Sequence, residues 1–440
     1  FLHGVKMKSE SYIYGIDDHL PVLRGILYGL QWAFIAFPGV IIAASLCGKA
    51  LNLDPVEEIR FLQFSLLTTG LFTLVQTVWG HRYPLIEGPS TALILTFMLL
   101  VPLGLPAIQG GTIMGGTLLV VTVLSKQLKR IIRLFTPNVV GVILMLIAFG
   151  LLAPLLGFIS GVSDSSPQGE AVIVLVSLGL ILLMTALAYH LSGFWKTVSI
   201  LCGMILGSLL FLMLGRLDWG RAAAAAWISI PDRWLASRPA FQWPAAVAFA
   251  CAYLAVVVNS LGSLQGIAAI TDEKRLPTGI DKGILVNGIS GIVCGLLGVV
   301  GTVSYSVSPG VIIVNRVASR FALTYCSIIL LLAVFLPKLS AVLATIPLPV
   351  VGSALCVAMG GQVGAGIAII ASHGITSRDY FVVGLPVLIG TLAGFFPPGL
   401  FEPLPGFFSV FLGNSLIVGI SMVLLLEHVL WRRKEPTQDM

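Results

Sequence analysis

Charged side chains are scarce in this chain. They make up 10% of its 440 residues, whereas an average soluble domain contains about 25%. Hydrophobic residues make up 57%. This balance excludes an ordinary soluble domain and indicates a polytopic membrane protein. The formal net charge of +6 then reflects basic residues in cytoplasmic segments, and no nucleic-acid partner is expected.

Residues that carry catalysis or hold metals are few and scattered. None of the six cysteines has CxxC spacing, and all lie in apolar runs, which predicts buried thiols. The six histidines are separated from one another, and the sequence has no Walker loop, zinc motif or GxSxG motif. We therefore predict no catalytic residue, no metal site and no cofactor, and we do not expect an enzyme.

Apolar runs long enough to cross a bilayer number about fourteen, and they predict an all-α membrane protein. The third and the tenth are interrupted by polar residues. The runs lie near residues 24–47, 59–79, 84–102, 110–126, 138–158, 170–190, 196–215, 243–266, 281–300, 303–318, 321–345, 347–372, 380–396 and 406–430.

The longest polar connection divides these spans into two sets of seven. Because seven is odd, the second set enters the membrane from the opposite side, which is the condition for two inverted repeats. Most of the 25 lysines and arginines fall on one side, and this places both termini in the cytoplasm. We predict a cytoplasmic N-terminal tail (1–23), a first repeat (24–216), an extracytoplasmic linker (217–241), a second repeat (242–431) and a cytoplasmic C-terminal tail (432–440).

The two polar breaks, at residues 80–97 and 301–320, have the same layout. Each predicts about five extended residues and a Gly/Pro pair, followed by a short helix over Pro89–Met98 or Pro309–Ala318. Half of the bilayer core is about 15 Å, which such a segment can cross. Paired, interrupted spans in the two halves of a membrane protein indicate the binding site of a transporter.

Glu87 is the one acidic residue that this reading places deep in the membrane, at the first break. Gly88 and Pro89 leave backbone groups free beside it, and the helix that follows favours a negative charge. An ionisable residue in a span is a functional candidate. Glu87 could bind a substrate N–H or carry a transported proton; alternatively, it caps its own broken helix or pairs with a distant arginine.

Amides in apolar spans are further candidates, because a buried amide must be satisfied. Asn259 in span eight and Gln31 in span one each suit a flat heterocycle with alternating N–H and C=O groups. The alternative for both is an interhelical hydrogen bond. Trp32 could stack on such a ring, although packing explains it as well.

The second break offers polar groups before Pro309. Tyr305 and Ser308 supply hydroxyls, and we expect free backbone N–H groups at Gly310 and Val311. With the start of span three, these would form a site between two helix N-termini that face each other.

Five stretches of the chain resemble motifs of one known family. They are Gly29–Trp32, Pro84–Gly88, Asn259–Gly262, Ser308–Arg320 and Ile346–Val350. The family is that of the nucleobase–cation symporters of the nucleobase–ascorbate type, also called xanthine/uracil permeases. The resemblance covers nearly the whole chain, which looks like a divergent purine/uracil permease-like member.

The resemblance implies fourteen spans in two domains, a core (spans one to four and eight to eleven) and a gate (spans five to seven and twelve to fourteen). It implies a substrate held between spans three and ten, with contacts from spans one and eight. Many members of the family are proton symporters, and several form dimers through the gate.

Departures from the family pattern bear on ion coupling. Trp32 stands where the family has histidine, and Asn259 where proton-coupled members have glutamate. Val307-Ser308 replaces the signature's Gln/Glu/Pro-Asn, and Asn315 replaces its threonine. Because an amide cannot titrate, Asn259 cannot carry a proton, and we hypothesise that Glu87 has taken over the charge.

The sequence therefore predicts a secondary active transporter of a purine, uracil or xanthine type base, working by alternating access and coupled to H⁺, to Na⁺ or to no ion. Its expected substrate-binding residues are Gln31, Glu87, Gly88, Asn259, Tyr305, Ser308 and Gly310. Expected partners are the base, membrane lipids and a second copy of the chain. The alternatives are a sulfate/bicarbonate-type anion transporter or an uncoupled facilitator of the same fold, and a membrane receptor or scaffold.

Overall fold

The computed structural model describes residues 12–162, 166–217, 219–231, 234, 236–372, 374–397, 400–401, 403–404 and 411–431. The predicted C-terminal tail, most of the N-terminal tail and parts of the linker lie outside these residues. The described chain is mostly helical, with two short strands. All six cysteines are free thiols, and Cys47, Cys294 and Cys326 are buried.

The chain forms two compact units, and each draws on both halves of the sequence. The first comprises residues 1–124 and 153–358, and the second comprises residues 125–152 and 359–440.

The first unit contains both strands and most of the helices, with α17 continuing into the second unit. Its elements are α1 (Val22–Leu51), α2 (Pro55–Val78), β1 (Glu87–Pro89), α3 (Thr91–Leu99), α4 (Leu105–Leu124), α7 (Leu152–Ser160), α8 (Ala171–His190), α9 (Gly193–Thr197), α10 (Ser199–Met213), α11 (Gly220–Ala224), α12 (Trp243–Ile270), α13 (Leu276–Leu297), β2 (Thr302–Ser304), α14 (Ser308–Asn315), α15 (Arg320–Ala333), α16 (Pro337–Ala344) and α17 (Leu348–Ala371).

The second unit contains the remaining helices. They are α5 (Leu128–Ile132), α6 (Pro137–Gly150), α18 (Ser377–Ala393) and α19 (Ser415–Leu425), which a π-helical turn (Leu426–Leu430) extends.

Eight helices among the described residues are long and apolar enough to cross a bilayer, so this is a multi-pass integral membrane protein. The predicted span 321–345 is not one straight helix, because α15 and α16 meet at 91°. The physical reason is Pro337, which starts α16 and cannot continue a helix. Hydropathy alone does not register such a bend.

Glycines let α4 and α13 approach closely. A Cβ on Gly288 would lie 2.9 Å from the carbonyl oxygen of Gly116, and a Cβ on Gly295 would lie 3.0 Å from that of Gln109. The glycine-rich stretch of span nine therefore serves helix packing.

Two carboxylates of the second unit are buried as well, although the sequence pattern singled out Glu87 alone. Asp379 is 3% exposed and Glu427 is 6% exposed. The amide of Asn138 donates to both, at 2.8 Å and 3.3 Å, and Arg378 pairs with both, at 3.1 Å and 2.9 Å. A buried carboxylate is stable only with such partners. The amide and the guanidinium contact both carboxylates, and Thr376 also donates its backbone N–H and its hydroxyl to Asp379.

The described N-terminal segment, residues 12–20, packs against residues 316–320 and Arg275 of the first unit. Tyr14 forms a parallel bridge with Val317. The carboxylate of Asp17 accepts hydrogen bonds from Arg275 and, at 2.8 Å, from Arg320. The hydrogen bond from Arg275 lowers the pKa of Asp17 to about 2.

A depressed carboxyl pKa contributes stability above the pKa of the unfolded chain and loses it as the pH falls through the folded value. We expect Asp17→Asn to lower the melting temperature of the detergent-solubilised protein at pH 7. Because Asp17 is half exposed, the loss is within about 1 kcal/mol. The difference from wild type should shrink as the pH falls from about 4 towards 2.

The matched control is Asp281→Asn, which removes an exposed carboxylate of α13. A difference in melting temperature between wild type and Asp17→Asn that stays constant down to the lowest pH would contradict the pairing.

Candidate functional site

The two polar breaks meet in the first unit as a two-stranded antiparallel sheet. Glu87 pairs with Ser304, Gly88 with Val303 and Pro89 with Thr302. Backbone hydrogen bonds of 2.9 Å continue the pairing on both sides, from Ser90 to Gly301 and from Tyr305 to Ile86. The strands satisfy each other's backbone groups, which a membrane interior requires.

A short helix follows each strand, as the sequence predicted, but the bounds differ. The helix α3 begins at Thr91 rather than Pro89. The helix α14 ends at Asn315 rather than Ala318, because Arg316 turns left-handed with φ of 56°. Since the strands run antiparallel, the two helices leave the sheet from opposite ends.

Glu87 lies at the centre of a closed hydrogen-bond network. Its side chain is fully buried. The carboxylate accepts a hydrogen bond of 2.9 Å from Nδ2 of Asn287 and another from the hydroxyl of Ser304. Its backbone N–H donates to Oγ1 of Thr73, 3.0 Å away. In this conformation the carboxylate accepts its hydrogen bonds from protein groups.

Asn287 on α13 is the main site residue that the sequence analysis missed. Its Oδ1 accepts from the hydroxyl of Ser260 at 2.9 Å, while its Nδ2 reaches Glu87. Asn287 is 1% exposed. The signal that selected Asn259, an amide in an apolar span, was present here too.

His81 lies next to this network, without a hydrogen bond to Glu87, and the sequence patterns did not select it. Its side chain is 1% exposed, and its Nε2 lies 3.9 Å from Oε1 of Glu87. A second polar pair, the hydroxyls of Ser290 and Thr302 at 2.7 Å, extends the buried network on the other side.

The helix α12 divides its polar residues between two faces. Ser260 and Ser263, one turn apart, face the network; the hydroxyl of Ser263 donates to the carbonyl oxygen of Ser304 at 2.8 Å. Asn259 and Gly262 form the neighbouring face and are more exposed. Adjacent helix residues point about 100° apart, so Asn259 cannot join the carboxylate network.

Asn259, Gly262 and Gly310 form what we call the open edge of the site. Asn259 is partly exposed, and its side chain has no hydrogen bond to another described residue. A Cβ on Gly262 or Gly310 would meet no atom within 4 Å. A Cβ on Gly266 would lie 3.5 Å from Pro309, which places this edge beside the first turn of α14. A free amide here is available to a planar polar ligand.

The expected free N–H groups of α14 are corrected in one respect. The N–H of Val311 is not free, because it donates to the carbonyl oxygen of Val307 at 3.2 Å. Gly310 remains exposed. Ser308 is buried, and its hydroxyl accepts from the N–H of Ile86 at 3.2 Å, so it joins the two breaks.

Tyr305 covers the first break. Its hydroxyl donates to the carbonyl oxygen of Pro89 at 3.3 Å. A Cβ on Gly88 or on Gly39 would overlap its phenol group. Only glycines allow the ring to lie across this part of the sheet.

Gln31 is buried and lies apart from Glu87. Its Nε2 donates to Oγ1 of Thr197 at the end of α9, 2.9 Å away. The neighbouring Trp32 is 3% exposed and packs in the interior.

The contact of Gly88 with Tyr305 gives a stability prediction. We expect Gly88→Ala to destabilise the protein by about 1–3 kcal/mol, because the added methyl overlaps the phenol ring. The measurement is the melting temperature in detergent. Tyr305→Ala in the same chain should recover part of the loss. Gly310→Ala, where the methyl meets no atom within 4 Å, is the control, and equal melting of both single variants would refute the packing.

Comparisons with known proteins identify the family of this chain. The model of a permease family, that of xanthine/uracil permeases, matches residues 24–399. The uric acid permease PucK of Bacillus subtilis is 27% identical over 94% of this chain and 97% of its own length. The nucleobase transporter PlUacP of Paenibacillus larvae is 25% identical over 93% of this chain and 95% of its own length.

A solved structure supports the same fold. The transmembrane domain of the cyanobacterial bicarbonate transporter BicA superposes with a TM-score of 0.59 and 16% identity, over 92% of this chain and 98% of that domain. The match over residues 24–399 covers most of the sequence. The chain therefore belongs to the xanthine/uracil permease family, and it is a membrane permease rather than an enzyme.

Proposed function

We propose that this protein is a secondary active transporter that moves a purine or pyrimidine base across the cytoplasmic membrane by alternating access. Membership of the permease family supports transport. Relatives named for uric acid and nucleobases support the substrate class. The observation that carries the proposal is the open edge, where the unpaired amide of Asn259 lies beside two breaks joined as a sheet.

The open edge is where we place the substrate. The amide of Asn259 offers two donors and one acceptor to the edge of a base. The exposed backbone at Gly310 follows Pro309, which packs against Gly266, two turns further along α12. We propose that Gly310 and Tyr305, whose ring lies across Gly88, contact the bound base. The hydroxyl of Ser308 and the amide of Gln31 are occupied by protein partners in this conformation. We assign these two residues to substrate contacts that form as the transporter changes state.

Glu87 is our candidate for proton coupling. Full burial and two protein donors favour a coupling role over a direct substrate contact in this conformation. The serines of α12 connect the two parts, because Ser260 donates to Asn287 and is adjacent to Asn259. Binding of the substrate at the open edge would thus affect the carboxylate of Glu87 through α12.

The membrane arrangement that we propose has fourteen spans in two inverted repeats, 24–216 and 242–431, joined by an extracytoplasmic linker. The tails over 1–23 and 432–440 would both be cytoplasmic. Supporting this, the two paired strands come from opposite halves of the chain, run antiparallel and are each followed by a short helix. Lipids, H⁺ or Na⁺, and a second copy of the chain bound through the gate domain are proposed partners.

The function is tested by counterflow in proteoliposomes. We expect purified protein to exchange at least one labelled base among uracil, xanthine, hypoxanthine, adenine and uric acid. Asn259→Ala should reduce uptake at low substrate by about 5- to 30-fold, because one or two hydrogen bonds to the base are lost.

Gln127→Ala, which removes an exposed amide from a loop, is the matched control and should exchange like wild type. Transport of sulfate or bicarbonate without transport of any base would refute the proposal in favour of an anion transporter. Downhill flux alone, with no accumulation under any ion gradient, would identify a facilitator.

A further inference from the structure

A buried histidine next to Glu87 has no role in the mechanism so far. His81 follows α2 in the loop that leads to β1, and its side chain is 1% exposed. Its backbone N–H donates to Oε1 of Gln76 at 3.3 Å, and the Gln76 amide donates to the carbonyl oxygen of Gly283 at 2.9 Å. The loop is therefore fixed between α2 and α13.

The hydrogen bonds of His81 define its tautomer. The Nδ1 atom accepts from the backbone N–H of Tyr83 at 3.0 Å. A neutral imidazole has one acceptor and one donor nitrogen, so its proton lies on Nε2. This atom is buried and has no hydrogen-bond partner among the described residues. It lies 3.9 Å from Oε1 of Glu87.

The loop that contains His81 places no charged side chain next to its imidazole ring. Arg82 is exposed, and its backbone oxygen accepts from Arg275 at the surface. The ring of Tyr83 lies 6.3 Å from that of His81, and its hydroxyl donates to the carbonyl oxygen of Asp272 at 2.6 Å. Tyr83 thus links the buried histidine to Asp272, which follows α12.

Apart from Glu87, the helices and the strand that pack against His81 also place no charged side chain next to it. The helix α13 presents Gly279 and Gly283 to His81, since a Cβ on either would lie 3.3 Å from an atom of His81. The charged Asp281 and Lys282 of the same helix are exposed. Leu264 of α12 also packs against Gly283, and β2 contributes the neutral Ser304. Tyr305 donates its hydroxyl to Pro89.

We propose that His81 and Glu87 form one buried proton-binding site, which holds the coupling proton of transport. The proton exchanges between two forms, imidazolium beside carboxylate and neutral imidazole beside carboxylic acid, and both forms are populated. Only an N–H or O–H bond forms and breaks, so no further reactant is needed. Tyr83 connects the imidazole to Asp272, which follows α12. Asn287 connects the carboxylate to Ser260 of α12. The inference rests on the proposed base transport.

The test is His81→Gln, which keeps an N–H donor near Glu87 but cannot titrate. With a gradient of about one pH unit, coupling to one proton supports about tenfold accumulation of the base in wild type. We expect His81→Gln to lose this accumulation while it keeps counterflow, which needs no net proton movement.

The control is His190→Gln, which replaces an exposed histidine at the end of α8 and should accumulate like wild type. If His81→Gln accumulates the base as wild type does, the proton site is refuted and base transport stands. Absence of counterflow in wild type refutes base transport itself. A merely structural histidine would lower counterflow and accumulation by the same factor, which also overturns the proposal.

A second measurement covers the case in which His81→Gln does not fold. Infrared difference spectra of the wild-type protein are recorded between high and low pH, with and without ¹⁵N-labelled histidine. We expect an imidazole band that shifts with the label and appears together with a carboxyl band. A carboxyl band without any labelled imidazole band would overturn the shared site.

Discussion

The structure around the two breaks depends on one constraint, which is that a carboxylate enclosed by a membrane protein must be satisfied by the protein. An isolated buried carboxylate is far too costly to persist, and removing one partner from a buried charge typically costs about 3–5 kcal/mol. Glu87 meets this constraint with the amide of Asn287 and the hydroxyl of Ser304. Those two donors come from α13 and β2, so the carboxylate joins elements of both halves of the chain.

The strand pair meets the same requirement for the buried backbone, because each strand supplies hydrogen-bond partners for the other. Three residues from each half pair in register, and both strands are buried along their length. The ring of Tyr305 lies over Gly88, and the glycines of α13 allow close contact with α4. The site thus has a close-packed, hydrogen-bonded centre and an open edge, and α12 carries the network on one face and Asn259 on the next.

Much of this arrangement could be predicted from the sequence. Composition indicated a membrane protein, and the Gly/Pro pairs identified both breaks, because these residues interrupt helices whatever surrounds them. Glu87 stood out because few carboxylates occur in apolar runs. The family resemblance, confirmed by the match over residues 24–399, added the substrate class as an expectation.

The rest depended on contacts between residues far apart in the chain. Asn287 lies 200 positions from Glu87, and no local pattern distinguishes it from Asn259. His81 looked isolated because the histidines were compared with one another, whereas its partner is a carboxylate. The 91° bend between α15 and α16 was missed, because hydropathy measures apolar length and not direction.

The central claim is that the coupling charge lies at Glu87 and not on α12, where Asn259 cannot titrate. Its most direct test is accumulation of the base in proteoliposomes under an imposed pH gradient, comparing wild type with Glu87→Gln. The account predicts that Glu87→Gln exchanges the base in counterflow but does not accumulate it. Accumulation by Glu87→Gln equal to that of wild type would contradict the account.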